Sequence, residues 1–584
     1  MTSLTTGSPE TTHHTEPLFG PNATIEGRAV FAQLRLQGVQ HRRRLSPGSP
    51  RAGEQPKVTV IVGKELPVEE VVCLVTEPEA AVVPLQRVKT EWDLLTWGYY
   101  EVWEAALPAH PAGTLVRYQI RAHDEDSGET YWADEGAEYS YVVGDSGPPA
   151  WALPAIIYQV FPDRFSPGNG RAWNPTSHLS DIYGGTLRGV IDHLDYIAAM
   201  GFTALWLNPF FPDDTHHGYH ATDYFAVNPR LGTMDDMREL VDKAHARGIR
   251  LLLDFVGNHW GSQHASFQAA RADRNSPYYN WYYWKNWPEE YVAYYNVLDL
   301  PKLNVDHPGV REHLLRSVGY WLGDVGFDGL RLDHADGPSY DFWTDVRVVA
   351  RSVKPDAWMF GELIRPPEQQ LSYAGLFDGN LDFLLCQALR DTFAAGTMSL
   401  AGFDAFLNRH EAYFPSQAAF SRPSFLDNHD MDRFLWRAGG DKRRLKLAAL
   451  VQFTLGGAPI VYNGTEVGVT QERAIHAPDS QGMEECRQPM LWGDEQDNDL
   501  SAYFWYLSHL RREHSALWRG DRETLHLDSA AGTYAYVRED GIGAVVIGLN
   551  LSDEPREFAV PYLPRASVVT FTLPPRSGDV ATLK

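Results

Sequence analysis

The sequence predicts an α/β protein centred on a (β/α)8 TIM barrel, with an N-terminal β-sandwich, a subdomain inserted after the third barrel strand and a C-terminal β-sandwich. Three observations lead to this prediction. Four short apolar runs end in acidic or imidazole side chains, segments with a helical period lie between them, and strand-like runs separated by turn residues precede and follow them. Alternating strands and helices with polar residues at the C-terminal ends of the strands are typical of such a barrel.

Each of the four apolar runs ends in residues that can carry chemistry. The runs are 251–259, which contains Asp254, Asn258 and His259; 326–336, with Arg331 and Asp333; 358–362, which ends in Glu362; and 424–430, which ends in His429 and Asp430. Because parallel barrel strands place their C-terminal ends on one face, we expect these side chains to converge there.

Arg331 and Asp333 lie two residues apart on one predicted strand, so their side chains point the same way. A guanidinium beside a carboxylate keeps it ionised and oriented, which suits a nucleophile better than a proton donor. A structural ion pair at a strand end is the alternative for such a pair taken alone. Glu362 follows Met-Phe-Gly. This apolar approach predicts a raised pKa and a proton that is available near neutral pH.

Helical periodicity separates the runs. Positions 187, 190, 191, 194 and 197 share one apolar face before the second predicted strand, and positions 237, 240, 241 and 244 share another before the third. A long insert at about 260–305 is crowded with Tyr and Trp. Most of these rings are expected to pack a small subdomain, and two or three to contact a ligand.

Taken in order, the four runs resemble the conserved regions of the alpha-amylase family of retaining glycoside hydrolases and transglycosidases. The resemblance spans residues 150 to 515, and further motifs agree with it. They are 156–165 and 201–209, similar to the first two barrel strands; His-Gly-Tyr-His-Ala-Thr-Asp-Tyr at 217–224; Leu-Pro-Lys-Leu-Asn at 300–304, similar to the neopullulanase and cyclomaltodextrinase branch; and 461–468, similar to the last strand.

The resemblance implies a role for each candidate residue. Asp333 would be the nucleophile, Glu362 the general acid and then base, and Asp430 the residue that binds the distorted sugar. The residues implied to bind substrate are Tyr219, His259, Arg331, His429 and Arg487. Asp254, by orienting Arg331, and Asn258, by supporting its loop, would act from behind the site.

The same resemblance implies an activity. It is retaining hydrolysis of short α-1,4-linked glucans, cyclodextrins or pullulan through a covalent glycosyl-enzyme. An α-glucan transglycosidase, in which a sugar hydroxyl replaces water, is the alternative on the same substrates. A noncatalytic binding subunit of the same fold is a third alternative, which the presence of all three acids disfavours.

This chain departs from that branch at three places. Leu363 follows the acid where an aromatic residue is usual, and Met483 stands four residues before Arg487 where an Asp is usual. The family's calcium loop supplies Asn and Asp ligands, whereas the loop 165–170 here contains Pro167, which has no side-chain oxygen, and Thr186 follows the Gly-Gly pair where an Asp is usual; calcium needs six or more oxygen ligands. We therefore expect no cofactor, with any calcium site weak or absent. His216 and His217 suggest a metal, although a solvated loop is the preferred interpretation.

The composition indicates which classes of molecule we do not expect this protein to bind. A net charge of −25 over 584 residues repels phosphate backbones and anionic membranes, whereas a neutral carbohydrate is indifferent to it. The three cysteines, Cys73, Cys386 and Cys486, have no metal-ligand spacing and predict neither a disulfide framework nor a zinc site. The start resembles no signal peptide, and no apolar run reaches membrane-spanning length. Nucleic acid and membrane partners are thus not expected, and a cytoplasmic location is predicted.

The remaining chain divides by composition. Residues 1–26 are typical of a disordered tail, 27–147 of a β-sandwich that can also mediate a homodimer, 148–515 of the catalytic barrel and 516–584 of a second β-sandwich. The strand-like runs are 29–36, 57–62, 71–75, 99–105, 114–122 and 138–143 in the first domain, and 533–538 and 544–550 in the last. Ser-Gly-Pro-Pro at 146–149 marks the first boundary.

Overall fold

The computed structural model describes residues 36–63, 65–94, 96–144 and 147–583, together with residues 29, 30 and 34. The predicted tail at 1–26 and residue 146 of the predicted boundary motif lie outside the described residues. The chain forms two compact units, Met1–Asp145 with Ile364–Tyr373, and Ser146–Leu363 with Ala374–Lys584. No helix within the described ranges is both long and apolar enough to cross a bilayer.

The first unit contains two five-stranded antiparallel sheets. Their strands are β1 (Val39–Gln40), β2 (Leu45–Ser46), β3 (Lys57–Val62), β4 (Glu70–Glu77), β5 (Ala81–Pro84), β6 (Gln86–Asp93), β7 (Gly98–Ala106), β8 (Leu115–His123), β9 (Thr130–Trp132) and β10 (Tyr139–Val142). One sheet has the order β1-β3-β7-β6 with β2 beside β3, and the other has the order β10-β8-β4-β5 with β9 beside β8. Alternate residues of β8 are buried, as expected for a strand with one face on a core.

The predicted strands of this unit are confirmed at β3, β4, β7, β8 and β10, which overlap the runs at 57–62, 71–75, 99–105, 114–122 and 138–143. The sequence prediction missed β5 and β6 because most of their residues are exposed and many are polar, so they lack an apolar alternation. The run at 29–36 was wrong where it can be judged. Residues 29, 30 and 34 are helical, and the rest of that run up to residue 35 lies outside the described residues.

The second unit is built on a parallel barrel, and the predicted (β/α)8 fold is confirmed. Its strands are β11 (Ile157–Val160), β12 (Ala204–Leu207), β13 (Arg250–Val256), β16 (Gly329–Asp333), β17 (Trp358–Gly361), β18 (Gly379–Asn380), β19 (Ser424–Phe425) and β20 (Pro459–Tyr462). They run in the order β18-β17-β16-β13-β12-β11-β20-β19. A parallel bridge between Gly379 and Ser421 closes the circle. Gly379 leaves no room for a side chain, since a Cβ atom there would lie 1.9 Å from the Ser421 carbonyl oxygen.

Helices surround this barrel. The α-helices of the second unit in the described part of the chain are Pro162–Phe165, Leu187–Asp192, Leu194–Ala199, Met234–His245, Ala265–Ala272, Pro308–Gly319, Tyr340–Val353, Phe383–Leu389, Leu400–Tyr413, Phe434–Arg437, Lys442–Thr454, Asn498–Glu513 and Ala516–Arg519. Thr233 caps the helix Met234–His245 reciprocally with Asp236. The apolar faces predicted at 187–197 and 237–244 are buried, although a break at His193 divides the first into two short helices.

The insert after β13 folds as the helix Ala265–Ala272 and a hairpin of β14 (Trp284–Asn286) and β15 (Glu290–Tyr291). Most of its aromatic rings pack on one another: Phe267, for example, lies 4.9 Å from Tyr282 and 5.9 Å from Trp284 between ring centroids. The prediction of an aromatic-packed subdomain is confirmed for these residues.

A β-structure follows the barrel at the C-terminal side. It consists of β21 (Asp521–Asp528), β22 (Thr533–Glu539), β23 (Ala544–Asn550), β24 (Arg556–Tyr562), β25 (Ser567–Leu573) and β26 (Ser577–Leu583). Strands β21, β22, β23 and β26 form one sheet, and β24 pairs with β25. The runs predicted at 533–538 and 544–550 are confirmed as β22 and β23. Val546, Val560 and Phe571 belong to one buried hydrophobic cluster in this part of the chain.

Candidate active site

The C-terminal ends of neighbouring barrel strands bring the predicted catalytic residues together. Asp333 ends β16, and Glu362 directly follows β17. Asp430 lies five residues beyond β19, in a segment whose main chain is held by side chains: Asp427, for example, accepts a hydrogen bond from the Phe434 amide at 2.7 Å. All three acids belong to the second unit.

Arg331 connects the acids. Its Nη1 lies 2.6 Å from Oδ1 of Asp254 and 2.7 Å from Oδ1 of Asp333, and its Nη2 lies 2.8 Å from Oε2 of Glu362. The guanidinium is fully buried and its carbon lies 5.0 Å from the Trp206 ring centroid. Because the two terminal nitrogens belong to one rigid planar fork, Asp333 and Glu362 face a common small space. The contact with Asp254 places that residue where it can orient Arg331.

Burial is the largest influence on the ionisation of these carboxyl groups. It raises the pKa of Asp333, of Glu362 and of Asp254, and Arg331 opposes the rise in each case. One guanidinium cannot balance three buried carboxylates, so the cluster favours keeping a proton. The pKa of Glu362 is raised by burial, in the direction that the apolar residues before it predicted. We expected Arg331 to keep Asp333 ionised; Arg331 does act in that direction, but burial outweighs it and raises the pKa of Asp333. Arg331 is also shared with Glu362.

A chain of hydrogen bonds runs beneath this cluster. Gln159 Nε2 donates to His429 Nδ1 at 2.8 Å, His429 Nε2 lies 2.6 Å from the Tyr219 hydroxyl, and that hydroxyl donates to Asp254 Oδ2 at 2.9 Å. The Tyr219 and His429 rings are parallel, with centroids 5.5 Å apart. Burial lowers the pKa of His429 to about 3, so the ring is neutral, as predicted. Asn208 also donates to the Tyr219 hydroxyl at 3.0 Å.

His259 differs from His429 because one of its ring nitrogens makes no hydrogen bond among the described residues. Asn258 Nδ2 donates to His259 Nδ1 at 3.1 Å, which places the imidazole proton on Nε2. Among the described residues Nε2 has no hydrogen-bond partner, although the residue is only 1% exposed. Burial lowers the pKa of His259 to about 3. A neutral, buried donor without a partner suits a ligand hydroxyl.

Asp430 lies against Arg487. Arg487 Nη2 donates to Asp430 Oδ1 at 2.8 Å, and its Nε donates to the His429 carbonyl oxygen at 2.8 Å. Burial would raise the pKa of Asp430, but its interactions with His429 and Arg487, including the hydrogen bond from Arg487, outweigh burial and lower that pKa. Asp430 is thus the most readily ionised of the three catalytic candidates.

The acid that seemed to be missing before Arg487 is Glu484. It lies one residue beyond the exposed Met483, and its Oε1 contacts Arg487 Nη1 at 2.8 Å. Its other oxygen lies 2.5 Å from His216 Nε2. The His216 side chain is 6% exposed, so the interpretation of a solvated loop was wrong for His216. The cause is Glu484, which supplies a buried partner that sequence spacing does not reveal.

Sequence reasoning missed two residues of the site. Gln159 is a polar residue within the apolar run of β11, and that interruption was the available signal. Tyr294 lies in the insert, with its ring 4.9 Å from that of His259 and 4.8 Å from that of His334. Burial, and then the charges of Asp333 and Glu362, raise the pKa of Tyr294. Nothing distinguishes Tyr294 from the other aromatic residues of the insert in the sequence alone.

The loop at which the resemblance implied calcium does not fit that ion. The Pro167 carbonyl oxygen accepts hydrogen bonds from Arg171 Nη2 and from the Thr186 hydroxyl. Arg171 Nε also donates to the Gly168 carbonyl oxygen at 3.4 Å. A guanidinium therefore already contacts the oxygens that a cation would need, and no carboxylate joins them in these contacts.

One further group has metal-ligating side chains, Asp213, Asp214 and His220, whose ligand atoms lie within 4.8 Å of one another. The Asp213 carboxylate already accepts hydrogen bonds from the amide and hydroxyl of Thr215 and from the His220 amide. The Asp213 carboxylate therefore stabilises the turn between residues 213 and 220, which accounts for the closeness of these side chains.

Comparison with known proteins agrees with this geometry. A family model described as "Alpha amylase, catalytic domain" matches residues 159–510. The chain is 32% identical to Alpha-amylase 2 of Dictyoglomus thermophilum over 81% of both chains. It is 36% identical to a cyclomaltodextrinase of a Bacillus species, over 69% of this chain and 74% of that protein. It is 35% identical to Neopullulanase 2 of Thermoactinomyces vulgaris, over 67% of this chain and 68% of that protein.

Solved structures lead to the same family. A cyclomaltodextrinase structure matches with a TM-score of 0.68 at 30% identity and covers 90% of this chain and 93% of its own. The cyclic α-maltosyl-(1→6)-maltose hydrolase of Arthrobacter globiformis matches with a TM-score of 0.68 at 30% identity, over 75% and 99% of the two chains. With the acids at the ends of β16 and β17 and the barrel around them, the chain belongs to the alpha-amylase family and is a glycoside hydrolase similar to the cyclomaltodextrinases and neopullulanases.

Proposed function

We propose that this enzyme hydrolyses α-glucosidic bonds of short α-1,4-linked glucans, cyclodextrins or pullulan with retention of anomeric configuration. The observation that carries the proposal is the contact of one guanidinium, that of Arg331, with both Asp333 and Glu362. Retaining enzymes need their two carboxyl groups about 5–5.5 Å apart, close enough for one to attack the anomeric carbon directly. A shared guanidinium favours such a short separation.

In the first step, the Asp333 carboxylate attacks the anomeric carbon as Glu362 gives its proton to the departing glycosidic oxygen. The bond from the anomeric carbon to that oxygen breaks, and an ester bond to Asp333 forms. Asp430, held by Arg487, binds hydroxyls of the distorted sugar and remains ionised near the positive charge that develops on the ring. The raised pKa of Glu362 keeps its proton available.

In the second step, Glu362 takes a proton from water as the water oxygen attacks the anomeric carbon. The bond from that carbon to the Asp333 oxygen breaks, which releases the sugar and restores the Asp333 carboxylate. The chemistry of the first step prepares this reversal. Asp333 loses its negative charge on becoming an ester, so one repulsive neighbour of the ionised Glu362 disappears. The pKa of Glu362 then falls, which suits its change from acid to base.

Neutral groups around the acids provide the sugar contacts. His259 offers the unpaired Nε2 donor, and Tyr219, held by His429, offers an aromatic face to the C–H side of the ring. Arg331 and Arg487 present further donors, and Asn258 fixes the ring of His259. Tyr294 adds a second aromatic ring beside His259.

The α-glucan transglycosidase remains the second candidate, because both reactions share the glycosyl-enzyme and differ in whether water or a sugar hydroxyl receives the glucosyl group. Incubation with maltotriose separates them. Hydrolysis predicts maltose and glucose from the earliest times, whereas dominant early products longer than maltotriose would contradict it. Proton NMR of the first product should show the α-anomer, and an initial β-anomer would contradict retention. A panel of cyclodextrin, pullulan, starch, maltotriose and sucrose then ranks the substrates.

We extend the proposal to assembly and setting. The hairpin of β6 and β7 in the first unit exposes Trp92, Leu94, Trp97 and Tyr99 by 42%, 76%, 74% and 54%. An apolar patch of this kind suits a homodimer through the N-terminal domain. Light scattering of the protein and of Trp97→Ser tests this, because the variant should become monomeric. The reaction needs no cofactor. We place the enzyme in the cytoplasm, and a relative from Bacillus subtilis whose name is intracellular maltogenic amylase supports this; it is 30% identical over 63% of each chain.

A further inference from the structure

We propose that a small oxyanion such as inorganic phosphate binds between Arg422 and Arg538, in a second site at the far end of the barrel from the acids. A cleft of about 570 Å³ lies there. It is lined by residues that precede β19 and β20, by the helix Leu400–Tyr413 and by the start of the C-terminal sheet, all in the second unit. The acids follow the opposite, C-terminal ends of the barrel strands.

Arg538 is the principal observation. It lies on β22, is 4% exposed, and its Nε donates a long hydrogen bond of 3.4 Å to the Ala516 carbonyl oxygen. Among the described residues no carboxylate forms an ion pair with it. Burial lowers the pKa of Arg538, and the charge of Glu411, which pairs with Arg522, opposes this only in part. A buried guanidinium without a counter-charge is costly to folding.

A second buried arginine adds to that positive charge. Arg511 is fully buried and donates only to carbonyl oxygens, including those of Leu455, Gly456 and Gly457 at 2.7, 3.1 and 2.9 Å. Burial and the neighbouring charge of Arg538 both lower the pKa of Arg511. Arg538, which lines the cleft, and Arg511, which does not, are therefore two neighbouring like charges, and among the described residues neither forms an ion pair with a carboxylate.

The other charges of the cleft are largely paired among themselves. Glu411 holds Arg522 at 3.0 Å, and Arg519 contacts Asp540 at 2.7 Å. Asp382 is 2.8 Å from His410 and 3.6 Å from Arg422. The acid that remains, Asp521, is exposed at the rim. The paired acids thus leave the charge of Arg538 without a partner.

Arg422 supplies a second donor. It is 5% exposed, and its Nη1 donates to the Pro415 carbonyl oxygen at 2.9 Å. Its Nε makes no hydrogen bond among the described residues and has only a long ion pair of 3.6 Å with Asp382. Guanidinium groups bind oxyanions through parallel N–H donors, so Arg422 and Arg538 provide the chemistry that phosphate or a carboxylate requires. A neutral sugar brings no compensating charge, and a cation would be repelled.

The test is titration of the full chain with inorganic phosphate at constant ionic strength. Isothermal titration calorimetry should give one bound phosphate per chain, and saturating phosphate should raise the melting temperature by about 2 °C or more. Glucose 6-phosphate and glucose distinguish the source of the anion. A sugar phosphate that binds more tightly than phosphate identifies a phosphorylated ligand, whereas binding by glucose alone would overturn the proposal. Absence of phosphate binding up to about 50 mM would also overturn it.

Substitution locates the site. Arg538→Met should weaken phosphate binding by at least about 10-fold and, in phosphate-free buffer, raise the melting temperature, because it removes an uncompensated buried charge. Arg538→Lys keeps the charge and should keep part of the binding if the Met variant does not fold. Arg443→Met is the matched control, since its side chain is 56% exposed and pairs with Asp441. If Arg538→Met bound phosphate as tightly as the Arg443→Met control, the assignment would be refuted. If the Met variant does not fold, the same comparison is made with Arg538→Lys.

Discussion

Arg331 lies 2.8 Å from Glu362 through the same guanidinium that holds Asp333. The two acids that must differ in protonation are therefore tied to one cation. Since Arg331 favours the charged form of each, the pair can interconvert between protonation states at small cost, and substrate can decide where the proton lies. That exchange is what a double displacement requires of its acid and its nucleophile.

Replacing this arginine should move the pH profile upward. Arg331→Gln removes the charge that lowers the pKa values of Asp333 and Glu362, so both should rise. Asp333 must be ionised to attack and Glu362 protonated to donate, so both limbs of the plot of kcat/KM against pH should shift to higher pH. We expect kcat to fall by about 100-fold or more at the new optimum. A downward shift of either limb would contradict this sharing of charge.

The two roles can be separated by the leaving group. Asp333→Asn should lose about 10⁴-fold or more in turnover on any substrate, because no nucleophile remains. Glu362→Gln should lose comparable activity on maltotriose but recover much of its kcat/KM on an aryl glucoside, because kcat/KM reports the first step and the phenol leaves without a proton. Its kcat should stay low, since the second step still lacks its base. Circular dichroism and melting temperature close to those of the unsubstituted enzyme serve as the control. If Asp333→Asn instead recovered activity on the aryl substrate, Asp333 would be the general acid and Glu362 the nucleophile.

Asp328 predicts how stability depends on pH. It lies just before β16, and its carboxylate contacts His245, the Leu251 amide, Arg250 and Lys354 at 2.7, 2.9, 3.0 and 2.9 Å. Burial would raise its pKa, but these donors outweigh burial and lower it.

Because the folded pKa lies below the unfolded value of about 3.9, this stabilisation is complete above that pH and lost as pH falls further. Asp328→Asn should lower the free energy of unfolding at pH 7 by about 3 kcal/mol, and by much less at pH 3. Urea unfolding at both pH values measures this. Asp195→Asn, at a side chain 84% exposed, is the control, and an equal loss at pH 3 would contradict the assignment.

The calcium-like loop predicts insensitivity to chelators. Because Arg171 contacts the Pro167 carbonyl oxygen, EDTA should leave turnover and melting temperature nearly unchanged. Arg171→Ala should instead lower the melting temperature slightly, by the loss of hydrogen bonds each contributing about 1 kcal/mol. Differential scanning calorimetry with EDTA and with added calcium checks both. A fall of several degrees with EDTA alone would show that an ion stabilises the loop.

Most of the fold could be predicted because its strands are apolar and short. The predicted bounds of Lys57–Val62 agree with β3, and those of 544–550 with β23, since both strands have at least one buried face. The exposed β6 could not be found in this way, because its polar residues carry no periodic signal.

The acids were predictable for a related reason: each ends, or closely follows, an apolar strand. What could not be predicted depends on contacts between distant segments. The sharing of Arg331 by Glu362, the pairing of His216 with Glu484, and the packing of Tyr294 on His259 join residues far apart in the chain. A single sequence gives spacing within a strand but no distances between strands.

The barrel closes between its two shortest strands, β18 and β19, through the bridge of Gly379 to Ser421. Side chains hold this stretch, since Asn380 Nδ2 donates to the Leu381 carbonyl oxygen at 2.9 Å and Gly379 has no room for a Cβ atom, so substitutions at the seam would disturb the closure. Asp430 stands on the loop that leaves this seam, whereas Asp333 stands on the longer β16. Any evolutionary change of glucan preference around Asp430 must therefore preserve the side-chain contacts that hold its loop, such as that of Asp427 with the Phe434 amide, whereas Asp333 is positioned by the strand itself.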